Sequence, residues 1–139
     1  MSYAEKGSWV YLMVAVATFG AYVSIILGRA GGTPVTDVPY VALLLWMIGV
    51  STVLSTVLRT VFEAADPSET RKSDERDRSI NRLGEYVGGL ILAGGMVGLL
   101  VLAVTEADHF WIANAIYVTF VVQAVTSSTV KLVAYRRGR

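Results

Sequence analysis

Charge in this chain comes in blocks, and between the blocks lie four stretches long and apolar enough to cross a bilayer. The first, Trp9 to Leu27, holds no charged residue over 19 positions. As a helix it rises about 28 Å, close to the ~30 Å of a hydrocarbon core. The others run from Val38 to about Leu58, from Tyr86 to Val104 and from Phe110 to about Val133. Inside lipid every backbone N–H and C=O must find its partner within the segment, so each run is predicted to be a helix. Only 17% of the residues are charged, against about a quarter in a soluble domain. The expected fold is all-α and integral to the membrane: a four-transmembrane-helix bundle, one membrane domain over residues 1–139.

The first run is longer than a signal-peptide core and has only Lys6 as a basic flank, so it reads as a retained span. Gly28 is predicted to end it, with Arg29 to Pro34 as loop. Asp37 is the expected N-cap of the second span, with Pro39 in its first turn. Residues 59–85 form a hydrophilic headpiece. The second helix continues into it through Arg59 and Glu63, and Asp66-Pro67-Ser68-Glu69 has the form of a helix start. Ser73 then caps a helix that runs through Ser-Asp-Glu-Arg-Asp-Arg-Ser-Ile-Asn-Arg-Leu83 into the third span, making the headpiece a helical extension of it. Helical spacing sorts this stretch into an Arg76, Ile80, Leu83, Val87 seam, an acidic Asp74, Asp77, Asn81, Glu85 row, and a Glu75, Arg78, Arg82 row. Residues 105–109 are the turn between the last two spans.

Four spans bring both chain ends and the headpiece to one side. That side holds 11 of the 12 lysines and arginines, leaving Arg29 opposite. Such a bias predicts a multi-pass protein of the cell membrane with both termini and the headpiece in the cytoplasm. The bilayer is its first partner, and the basic end, with Arg136 and Arg137, suits anionic lipid.

Chemistry is sparsely represented. There is no cysteine and a single histidine, His109, which removes disulfides and thiolates and leaves little for a metal or a His-based triad. No nucleophile–base pair, phosphate-cradling loop or paired-carboxylate site is evident, so neither enzymatic activity nor a cofactor is expected. The headpiece acids have arginine neighbours, for which solvated ion pairs are the commoner explanation than a cation site.

Two features within the spans stand out. Gly84 with Gly88 and Gly94 with Gly98 have the small-xxx-small spacing of close helix crossings, within one bundle or between copies in a homo-oligomer. Span four carries Asn114, Gln123, Ser127 and Lys131, and span two carries Ser55. Polar groups in lipid seek partners, so spans two and four are predicted to face each other across a candidate polar cavity. Hydrogen bonds between helices, or from Ser and Thr to their own helix, are the plainer alternative.

Ser73-Asp-Glu-Arg-Asp-Arg-Ser-Ile80, together with Val130-Lys-Leu-Val-Ala-Tyr-Arg-Arg-Gly138, resembles an uncharacterised family of small four-span prokaryotic membrane proteins. Its marks are an Asp-Glu-Arg-Asp motif between spans two and three and a Tyr-Arg-Arg-Gly C-terminus. The resemblance implies a protein encoded beside small helix-turn-helix regulators, and hence a membrane partner for such a regulator rather than a direct binder of nucleic acid. The expected function is regulatory or scaffolding, with Asp74, Glu75, Arg76, Asp77, Arg78, Arg82, Arg136 and Arg137 as the partner-binding surface. The competing expectation is a small homo-oligomeric transporter or channel with a polar path between spans two and four.

Overall fold

The computed structural model describes residues 3–65 and 75–137, and within them the chain is almost entirely helical. Helix α1 spans Tyr3–Ala30, α2 Val41–Ala65, α3 Glu75–Val104 and α4 His109–Arg137. All four are long and apolar enough to cross a membrane. At 25 to 30 residues each exceeds the ~30 Å hydrocarbon core, so the ends stand clear of it. The sides of the bundle are built for lipid: Trp46 is 71% exposed, and Met13, Leu45 and Leu100 also point outward. A soluble protein would not display an apolar surface of this extent.

The connections use local backbone chemistry. Helix α1 passes the expected stop at Gly28 and ends at Ala30. There Gly31 and Gly32 take positive φ (49° and 96°), and the Thr33 amide and hydroxyl both donate to the Ala30 carbonyl, at 2.7 and 2.5 Å. A glycine inside a helix is tolerated; a left-handed residue ends it. Helix α2 begins at Val41, not at Val38. Asp37 lies in a 3-10 turn, Val35–Asp37, and Tyr40 supplies the carbonyl that receives the first helical bond, from Leu44 at 2.8 Å. Pro39 accounts for the shift. It disfavours helical backbone at the residue before it, and Val38 is extended (φ −77°, ψ 134°).

The α3–α4 turn is where expected. The Glu106 amide donates to Ala103 at 3.2 Å and the Ala107 amide to Leu102 at 3.0 Å. These two bonds, with Glu106 at φ 54°, form a Schellman close. Asp108 then caps α4, its carboxylate accepting from the Phe110 amide at 2.8 Å.

Helices α1 and α4 form the middle of the bundle. Helix α2 packs on α1 and α3 packs on α4, and no packed seam joins α2 to α4. Spans two and four line one cavity without packing directly on each other, and α1 is the packed neighbour of both. The apolar core gathers at the end bearing the α1–α2 and α3–α4 turns, around Tyr22, Ile26, Leu44, Phe110 and Tyr117. Tyr117 meets Tyr22 edge-on at 5.2 Å, and Tyr40 meets Phe110 at 5.0 Å. Each such pair is worth about 0.5–1.5 kcal/mol beyond area burial.

The α3–α4 seam is a row of glycines under a row of polar side chains. A Cβ on Gly84 would strike the Lys131 chain, and one on Gly88 would strike Gln123 and Ser127. One on Gly95 would strike Thr119. Gly94 and Gly98 have nothing within 4 Å of that position, so of the four glycines singled out by spacing only two pack within the chain. Helical pitch explains the choice: 84, 88 and 95 share a stripe, while 94 and 98 lie on the neighbouring one. The same stripe buries Ile80 and leaves Leu83 exposed, correcting its place in the packing seam. Gly88→Val or Gly95→Val should lower unfolding free energy in micelles by about 1–3 kcal/mol. Gly98→Val should change it by less than about 0.5 kcal/mol; equal losses at all three positions would contradict the stripe.

Candidate functional site

The polar residues gather in two places, a charged cleft at one end of the bundle and a cavity at mid-depth. The cleft forms where the start of α1, the end of α2, the start of α3 and the end of α4 meet. It encloses about 330 Å³ and is lined by Arg59 and Glu63 of α2, Asp77, Arg78 and Asn81 of α3, and Lys131 of α4. Glu5 is buried at the base of α1. The Lys131 Nζ donates to Glu85 Oε1 at 2.5 Å, with the Glu85 side chain 60% exposed. An ion pair this wet contributes well under about 1 kcal/mol.

The headpiece helix and the two chain ends share this end of the bundle. Arg76 reaches across and donates to the Tyr135 carbonyl at 3.4 Å. The Arg136 guanidinium lies 5.8 Å from the centre of the Trp9 ring. Of the residues predicted to bind a partner, Glu75, Arg76, Arg78, Arg82, Arg136 and Arg137 are exposed. Asp77 is half-buried and turned into the cleft, and Asp74 lies outside the described residues. Arg78 and Arg82 have no ion pair among the described residues. No grouping of acids and histidine among the described residues is arranged to hold a metal ion.

The cavity lies between α1, α2 and α4 and holds about 430 Å³. Its polar lining comprises Thr18 of α1, Ser51, Thr52, Ser55 and Thr56 of α2, and Tyr117 and Gln123 of α4, among Tyr11, Ile48 and Phe120. The threonines are spoken for. Thr18 donates to Val14 at 2.7 Å, Thr52 to Ile48 at 2.9 Å and Thr56 to Thr52 at 2.8 Å, the back-bonding usual for hydroxyls on helices. Ser51, Ser55 and Gln123 make no hydrogen bond among the described residues. The buried Tyr117 hydroxyl lies near Thr18, whose own proton is committed, without the geometry of a full hydrogen bond.

The five residues expected to form one polar cavity are thus divided by the fold. Ser55 and Gln123 line the cavity, and Lys131 lines the end cleft. Ser127 sits between them against Gly88. Asn114 is used structurally at the opposite end: Tyr22 donates to its Oδ1 at 2.6 Å, and its Nδ2 donates to the Phe110 carbonyl at 2.8 Å. Sequence reasoning missed Tyr117 and Thr18, which sit on no polar row and become cavity residues only through the α1–α4 crossing. Tyr11 lines both the cleft and the cavity, so the two adjoin.

Compared with protein-family models, curated proteins and solved structures, the chain matches none of them. A double-mutant cycle on Tyr22→Phe and Asn114→Leu, read by unfolding in micelles, should give a coupling of about 0.6 kcal/mol and at most ~1.7 kcal/mol. A coupling near zero would show that this bond does not tie α1 to α4.

Proposed function

We propose that this multi-pass membrane protein is a non-enzymatic regulatory or scaffold protein of the cell membrane, with both termini cytoplasmic. In this reading the charged start of α3, together with the basic end of α4, is a docking surface for a cytoplasmic protein such as a helix-turn-helix regulator. The supporting observation is the set of exposed charges on a rigid continuation of a span: Arg78 and Arg82 stand on one helix face without ion pairs among the described residues. A helix anchored through a membrane span offers its charges preorganised, which lowers the entropic cost of docking. The lysine and arginine bias supports the cytoplasmic orientation. The resemblance to the Asp-Glu-Arg-Asp family supplies the class of partner and rests on its two motifs.

A second reading, a homo-oligomeric transporter or channel, draws support from a cavity lined by Ser55 and Gln123 that adjoins the charged cleft through Tyr11. Ion or solute flux in reconstituted liposomes, lost in Gln123→Leu, would favour it over docking.

Reversing Arg78→Glu and Arg82→Glu together should abolish co-purification of the cytoplasmic partner while leaving membrane insertion intact. Binding that survives both reversals would refute the docking surface. The chain has no cysteine, so single probes report topology cleanly. Glu106→Cys should react with an impermeant maleimide in intact cells and Arg137→Cys only after lysis; the reverse pattern would overturn the orientation.

A further inference from the structure

We infer that the cavity between α1, α2 and α4 is a binding site for an uncharged lipophile bearing a carbonyl or hydroxyl group, which enters sideways from the bilayer. The inference is independent of the docking surface, because the cavity shares no residue with it.

Three observations carry it. First, a buried hydroxyl without a hydrogen bond among the described residues, that of Tyr117, lines this cavity. Ser55 and Tyr117 are only 5% and 4% exposed, and both line the cavity. Of the two, the Tyr117 hydroxyl is fully buried and without a hydrogen bond among the described residues. Buried polar groups in a native structure are paired in the large majority, and an unpaired one at membrane depth costs more than it would beside water. The threonines on the same walls show that back-bonding is open to a short hydroxyl; Ser51 and Ser55 make no such bond among the described residues.

Second, the wall chemistry selects the ligand. Among the described residues no acidic or basic side chain lines the cavity, so a charged ligand would lie in a low-dielectric site without a counter-ion from them, at a cost of several kcal/mol or more per ion. The remaining wall is apolar and aromatic, from Ile48, Tyr11, Phe120 and Val121. A volume of about 430 Å³ lies within the usual range of small-molecule sites, which pair an apolar lining with a few orienting polar groups. Hydroxyls at Ser55 and Tyr117 suit a ligand oxygen that can accept, or both accept and donate, while the Gln123 Nε2 lies against Gly88 in the α3–α4 seam.

Third, the fold leaves an entrance. Helices α2 and α4 share no packed seam. Phe120, which lines the cavity, is 53% exposed. A ligand dissolved in the bilayer reaches the site without crossing water.

Two neutral probes separate the sources of such an oxygen: a decyl-substituted benzoquinone, a ring carbonyl, and monodecanoyl glycerol, a chain with ester and hydroxyls. Decanoate and decyltrimethylammonium are charged controls of equal tail length. The full-length protein in phosphatidylcholine nanodiscs should retain one equivalent of at least one neutral probe by native mass spectrometry, and neither control. Ser55→Ala and Tyr117→Phe should each weaken retention about three- to tenfold, the range for one hydrogen bond in a membrane interior. Ala124→Phe, which fills the space from α4, should abolish it. Helical circular dichroism and the Tyr22–Asn114 coupling report whether each variant keeps its fold, and Ser51→Ala serves if Ala124→Phe does not. If the neutral probes bind no better than the charged ones, the cavity holds water only and the inference fails. It fails equally if retention is unchanged in folded Ser55→Ala and Tyr117→Phe.

Discussion

A bundle in lipid is deprived of the force that holds a soluble bundle together, because a lipid tail is as good a neighbour for leucine as another leucine is. What remains is dispersion at close range and hydrogen bonds between helices. The α3–α4 seam answers this constraint most directly. Gly84, Gly88 and Gly95 clear a stripe of α3, and Thr119, Gln123, Ser127 and Lys131 of α4 lie down on it. Removing side chains from one helix lets the other approach until polar stems touch backbone. The polar row that in sequence resembles a conduit is, over much of its length, the tightest crossing in the molecule.

The two ends of the bundle are held by different means. At the turn end, aromatic edges from α1, α2 and α4 meet around Tyr117 and Phe110, and Tyr22 adds an interhelical hydrogen bond to Asn114. At the other end, the contacts are charged and wet, with Lys131 on Glu85 and Arg76 on the Tyr135 carbonyl. The exposed charges at this end, Arg78 and Arg82 among them, suit the docking role proposed for it.

Between these ends, the space flanked by α2 follows from arrangement rather than from any single residue. Among the described residues, α1 is the packed neighbour of α2, while α4 is engaged on two sides, by α1 and α3. The cavity is the consequence, and its walls inherit whichever residues happen to face that gap.

Length and charge along the chain were enough to determine four apolar spans and the place of the two turns at one end of the bundle, because these properties act through the bilayer and need no knowledge of neighbours; the expected helix start at Asp66-Pro67-Ser68-Glu69 and the Ser73 cap lie outside the described residues. Local chemistry was legible to within a few residues, and it failed where competing signals met. Pro39 moved the start of α2, and left-handed Gly31 outlasted Gly28 as the end of α1. Which face of each helix meets which neighbour was not legible. Gly94 and Gly98 have the same spacing as Gly84 and Gly88, and Ser55 looks no different from Ser51. Only the crossing of α4 over α1 and α3 decided that one glycine stripe is buried and that Asn114 is structural. The same crossing put Tyr117 beside Ser55 and Gln123, because helix pairing in lipid is settled by close steric fit between particular faces, and a linear pattern carries spacing but not partner.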